Sequence, residues 1–299
     1  MIDDAPAHVM GAWIRGGIRA EDGNRERSEM AKHRWAFIFL LCASIAIPAV
    51  AASSDPLVAH RALYRITLAS AAAAAVSSVV DAKGSMFYRF ADACDGWTVE
   101  NRTLIRFRYV EENDSNTVFT LSSWESKDGL RLRFRARHER DGEVVERLKG
   151  EADLRGNGGN GTAHFDQPQE MDIPLPAGTS FPTAHMHELI EAARQGDIVL
   201  NRLMFDGSGP NDPFEVNAVI NGPITALPSR SPIQGLGESP RWLAHLAFFP
   251  LSSRGTEPDF EVDILFRADG IAEFVRQDLG DITLEFTLDE IELLPETAC

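Results

Sequence analysis

The chain has 299 residues, with 29 Lys and Arg against 45 Asp and Glu, for a formal net charge of −16. Such an acidic surface repels nucleic acid and anionic lipid over long range, which removes non-specific nucleic-acid binding from the candidate functions but leaves room for a local basic patch. The rest of the composition, 44% hydrophobic with 16 Pro and 23 Gly, is that of a globular protein.

Lys32, His33 and Arg34 form a short positive stretch ahead of the apolar run Trp35 to Ile47. Ala49-Val50-Ala51 then supplies small residues at the spacing signal peptidase requires. This layout predicts a secretory signal peptide over 30–51, starting at Met30, with 1–29 as a misassigned extension. Cys42 follows Phe39-Leu40-Leu41, which is unsuited to lipidation. Cleavage leaves a single domain over 52–299, expected in the periplasm, with no second apolar run long enough to span a bilayer. Two cysteines remain, Cys94 and Cys299, and an exported chain with one cysteine pair reads as carrying one disulfide.

The dominant hydrophobic period in that domain is two. Thr103, Ile105, Phe107 and Tyr109 alternate with polar residues, as do Leu130, Leu132, Phe134 and Ala136. Phe260 to Phe266 and Ile282 to Leu288 continue the pattern. Such alternation marks strands with one buried face. Turn signals fall between them at Asp128-Gly129, Asp141-Gly142, Asn157-Gly158-Gly159, Asp206-Gly207 and Asp269-Gly270. Asp-Gly between alternating runs predicts tight hairpins. Regularly spaced hairpins imply one antiparallel sheet, curled or closed.

Thr183 to Gln195 breaks this period and reads as the one main α-helix. Pro182 precedes it, Thr183 is the expected cap and Gly196 the expected stop. Met186, Leu189, Ile190 and Ala193 share its apolar face. The alanine-rich stretch 69–80 reads as a loop or short helical turn, and 221–241 as a long loop.

Arg131, Arg133, Arg135 and Arg137 alternate along one predicted strand and project from one face. They form either an anion-binding stripe or a solvated face balanced by nearby acids. A two-residue turn at Asp141-Gly142 would pair Arg140 with Glu143 and Arg137 with Glu146. His185 and His187 point to different sides of a helix and are assigned to its polar face; no metal site is expected. Ser208 sits in a turn composition without the strand–elbow–helix context of a hydrolase nucleophile. Carboxylate pairs such as Glu111-Glu112 and Asp289-Glu290 are uninformative in so acidic a chain. No catalytic residue and no cofactor are assigned.

Gly84-Ser85-Met86, Ala93-Cys94-Asp95-Gly96-Trp97, the stretch Leu175 to His185, Phe205-Asp206-Gly207-Ser208 and the closing Leu294-Pro295 with Cys299 stand in a distinctive order. Together they resemble the cell-envelope integrity protein B (EipB) family over most of 57–299. The resemblance implies a mainly β fold: a single long antiparallel sheet curled into a β-spiral, bowl-like or half-barrel, related in shape to periplasmic lipoprotein carriers, with one helix. It places the family disulfide at Cys94 and Cys299. It implies a role in envelope integrity, a periplasmic tetratricopeptide-repeat protein as functional partner, and no enzymatic activity. The expected function is therefore a non-enzymatic protein that binds a partner protein, or a lipid or peptide ligand, on the curled sheet. The alternative is a hydrolase or lytic enzyme acting on envelope glycans, which needs two carboxylates across one cleft.

Overall fold

Fifteen strands make one sheet, and each joins its sequence neighbour almost without exception. The computed structural model describes residues 57–71, 79–110, 113–156, 158–209, 213–224, 235–251, 256–295 and 297–299, and structural statements concern these. The expected signal segment, the Glu111-Glu112 pair and Asn157 lie outside them. The first strands are β1 (His60–Ala71), β2 (Val79–Asp92), β3 (Gly96–Tyr109), β4 (Ser115–Ser126), β5 (Arg131–Arg140) and β6 (Glu143–Leu154). There follow β7 (Gly161–Gln167), β8 (Met171–Leu175), β9 (Thr179–Ser180), α1 (Pro182–Gln195), β10 (Val199–Met204) and β11 (Phe214–Ile220). The chain closes with β12 (Arg241–Pro250), β13 (Phe260–Arg267), β14 (Ala272–Asp278) and β15 (Ile282–Leu293).

The sheet order is β8-β7-β6-β5-β4-β3-β2-β1-β15-β14-β13-β12-β11-β10-β9. The two ends, β8 and β9, are consecutive in sequence and joined only by residues 176–178. The result is a nearly closed, barrel-like wall whose seam lies at 175–180. Every pairing is antiparallel except the short parallel contact of β9 with β10. The mainly β class, the single curled sheet and the one helix are as the sequence implies.

The alternating positions point inward as expected. Ile105 and Phe107, Leu132, Phe134 and Ala136, and Ile282, Leu284, Phe286 and Leu288 are all buried. They belong to three apolar clusters: one under α1 and β10–β13, one behind β1–β3 and β15, and one behind β4–β8. Burial of this apolar area is the main stabilising term. Between β3, β4, β14 and β15 the lining leaves one small cavity of about 10 Å³, bounded by Thr103, Thr117, Phe119, Gln277 and Leu284. That is room for a single water.

Two turn expectations meet different outcomes. At Asp141-Gly142 both residues take positive φ, 52° and 86°, and Arg140 faces Glu143. The strand then bulges at Val145, so that Glu146 faces His138 and Arg137 faces Arg147. The expected Arg137–Glu146 pair is therefore replaced by two like charges. Gly207 (φ 71°) lies flat on the Phe134 ring, where a Cβ would sit 2.3 Å from the ring carbon. The ends of the 69–80 stretch differ from expectation, since Ala69 to Ala71 extend β1 and Val79-Val80 open β2, while 72–78 lie outside the described residues.

A buried ion network holds the β13–β14 end. Arg267, 3% exposed, donates to both Asp269 oxygens, to Glu273 and to the Gly237 carbonyl. Arg241 takes the other Glu273 oxygen at 3.1 Å. A carboxylate as buried as Glu273 is tolerable only because two guanidinium groups satisfy it.

Candidate functional site

The helix is seated by a side chain from far away in sequence. Phe181 is its N-cap residue and makes no side-chain capping bond; Pro182 supplies the first turn without an N–H. Glu125, on β4 and 3% exposed, accepts from the Thr183 N–H at 2.7 Å and the Ala184 N–H at 2.8 Å. The expected capping role of Thr183 thus belongs to Glu125. Burial pushes the Glu125 carboxyl up, and the two N–H donors oppose that shift. Gly196 ends the helix in the left-handed region, its N–H reaching Ala192 and Ala193.

Beside this seat runs a groove in two adjoining lobes. One, about 430 Å³, is bounded by Gly178, Thr179, Ser180, Glu188, Asn201 and Arg202. The other, about 400 Å³, shares Gly158, Thr179, Ser180 and Glu188 and adds Trp97, Glu125, Lys127 and His187. Glu188 is held by Arg202 at 2.7 Å and lies 3.4 Å from the Ser180 hydroxyl. Along the groove β9 pairs only with Leu203 and Met204 of β10. The preceding residues of β10 pair with β11 on one side and with no strand on the other. A strand edge without a partner strand thus borders the cleft, where the Asn201 carbonyl accepts from the Arg202 guanidinium at 2.9 Å.

The two histidines separate. His187 lines the groove, whereas His185 is 5% exposed and its Nε2 finds no partner. The polar-face assignment of His185 is corrected by its spacing: it precedes Leu189 by four residues and so joins the buried face. Burial, with Arg202 adding to it, lowers its pKa to about 4.

The four arginines of β5 do share the outer face, and all are exposed. Arg131 and Arg133 stack over Trp124 at 5.4 and 5.1 Å. Arg133 also approaches Glu151 at 4.0 Å, and Arg137 bonds Glu139 at 3.0 Å. Arg135 has no such partner among the described residues. Ser208 donates its hydroxyl and N–H to Asp206 and closes a turn. Among the described residues no three His, Cys, Asp or Glu side chains are placed to hold a metal ion. No described helix is long and apolar enough to cross a membrane.

Cys94 and Cys299 are bonded, with Cα atoms 5.7 Å apart. The bond fastens the tail after β15 to the β2–β3 turn, and the Thr297 hydroxyl donates to the Asp92 carbonyl beside it. It therefore does not join the free ends of the sheet, which lie at β8 and β9. Lys127 ties this turn to the groove: its ammonium bonds Asp92 at 3.0 Å and sits 3.0 Å above the Trp97 ring.

A nearly closed fifteen-stranded wall, one helix seated from within and a polar groove at the seam define a barrel-like β protein. The chain belongs to the EipB-like family, whose model matches residues 51–295. It is 29% identical over 255 residues to cell envelope integrity protein EipB of Brucella abortus (strain 2308), covering 84% of this chain and 89% of that one. A crystal structure of a β-barrel-like protein of a domain of unknown function from Brucella abortus superposes with a TM-score of 0.74. That match is at 26% identity and covers 81% of this chain and all of the other.

Proposed function

We propose that this chain is an exported, periplasmic, non-enzymatic protein that supports envelope integrity by docking a partner protein at the seam groove. The 52–299 region is its mature domain, released by cleavage of the 30–51 signal. The observation that carries the integrity role is the match, over most of both chains, to a relative named for that function. The groove favours a polypeptide over an apolar ligand inside the bowl. The inward side chains pack into three buried apolar clusters, while the open edge of β10 offers backbone groups to an added strand. A tetratricopeptide-repeat protein fits as the partner to the extent that it presents such a segment.

The alternative, a glycan hydrolase, asks for two free carboxylates across the cleft. Glu125 and Glu188 do border it, but both Glu125 oxygens cap the helix and Glu188 is neutralised by Arg202. Deleting the gene in its own host tests the proposal. The expected result is sensitivity to detergent and cell-wall antibiotics, with the protein recovered in the periplasmic fraction. A wild-type envelope, or cytoplasmic protein, would overturn it.

A further inference from the structure

The outer face of β2–β6 sets cations against one another. Because of the bulge at Val145, Arg137 faces Arg147 and Arg135 faces Lys149. Like charges directly opposite destabilise a strand pair. Two strands away, Arg102 completes the row, with Thr120 between it and Arg137. Three strand spacings of about 4.8 Å put the backbones of Arg102 and Arg147 roughly 14 Å apart.

The carboxylates nearest this row are taken by other bases: Glu100 by Arg89, Glu139 by Arg137, Glu151 by Arg133 and Asp166 by Lys149, while Asp153 lies opposite Arg131 at the far end of β6. Arg102, Arg135 and Arg147 are exposed and reach no carboxylate among the described residues. Two large apolar side chains share the face. Phe87, directly opposite Arg102, is 40% exposed, and Leu104 is 46% exposed.

A guanidinium offers only donors, in a fork that fits phosphate oxygens. The face therefore calls for an array of anionic acceptors with apolar matter beneath it. A protein partner is ordinarily registered by charges of both signs; along the row from Arg102 to Arg147 the free charges have one sign. We propose that this face docks on an anionic phospholipid surface, with headgroup phosphates taken by Arg102, Arg135 and Arg147 and with Phe87 and Leu104 entering the interface. The protein's net charge opposes approach, so attachment is orientation-specific and falls with salt. This face is separate from the seam groove, and its failure would leave the docking of a partner there untouched.

The test is co-sedimentation of the purified protein with vesicles of phosphatidylglycerol diluted in phosphatidylcholine, against pure phosphatidylcholine. Binding is expected only to the anionic vesicles and is lost at high salt. Each basic residue at such a surface accounts for about fivefold in partitioning, so R135Q/R147Q should bind about 25-fold more weakly. F87S should weaken binding while keeping the salt dependence. R155Q/R276Q, remote in the register, should match wild type. Arg135 and Arg147 bond no carboxylate among the described residues, so the melting temperature of R135Q/R147Q should hold or rise slightly. Three results would overturn the assignment: no binding by wild type, equal binding by R135Q/R147Q, or preferential capture of polyglutamate that the same variant abolishes.

Discussion

Glu125→Ala removes one side chain and strands two backbone donors. The Thr183 and Ala184 N–H groups begin the only described helix and have no other acceptor in place. A buried donor left unsatisfied costs about 1–3 kcal/mol, and loss of a helix cap about 0.5–2 kcal/mol. Against this stands relief from burying a carboxylate. The net destabilisation should be about 2–4 kcal/mol, a large share of the roughly 5–15 kcal/mol typical of a domain. At about 2–4 °C per kcal/mol for a domain of this size, the melting temperature should fall by about 5–15 °C. Circular dichroism melts and urea titrations at neutral pH read this directly. Glu125→Gln keeps one acceptor and should fall between. The pH dependence has a definite sign: burial raises the folded-state pKa, so the group's contribution is complete below the ordinary carboxylate value and is lost as pH rises through the raised one. The difference between wild type and E125Q should therefore shrink from acid to neutral pH. A melting shift below about 2 °C for E125A would refute the idea that this carboxylate seats the helix.

Four further outcomes are expected. His185 binds its proton near pH 4 instead of the usual 6.5, so the fold should lose about 3 kcal/mol of stability between those values; in His185→Phe, denaturant titrations across that range should show this component gone. Reduction, or Cys299→Ser, opens a loop of 205 residues' separation and should cost about 2–5 kcal/mol, with Ellman titration of unreduced, unfolded mature protein finding no free thiol. Because β15 still pairs with β1, the far-ultraviolet spectrum of reduced protein should be unchanged below the melt. Gly207→Ala combines a left-handed backbone with a clash on Phe134 and should cost about 2–4 kcal/mol, measurable as a lower urea midpoint. Glu273→Ala leaves Arg267 buried with less compensation and should cost about 3–5 kcal/mol by the same titration.

The sequence told most about what depends on neighbours along the chain. Period-two alternation located β3, β5, β13 and β15 and their inward faces, because strand geometry turns spacing directly into sidedness. Asp141-Gly142 announced its turn because few other pairs accept positive φ twice. What it did not announce depends on partners far off in sequence or on one irregular residue. Nothing in Val144-Val145 marks a bulge, yet that single residue turns Arg137 from Glu146 towards Arg147. Glu125 looks like any acid of an acidic chain, and its partners lie 58 and 59 residues away. Likewise, Arg102 and Arg147 gain meaning only once the register sets them beside β5. The burial of His185 was available in principle, since its spacing to Leu189 places it on the apolar face.

The claim that the seam groove carries the function is tested most directly by filling it. Asn201 is exposed on the open edge of β10 and makes no side-chain bond, so Asn201→Trp should fold as wild type while occupying the first lobe. The measurement is rescue of a strain lacking the gene, scored as survival on detergent, by N201W against wild type at equal periplasmic levels and equal melting temperature. The account predicts that N201W fails to rescue. Full rescue by a folded N201W would contradict it.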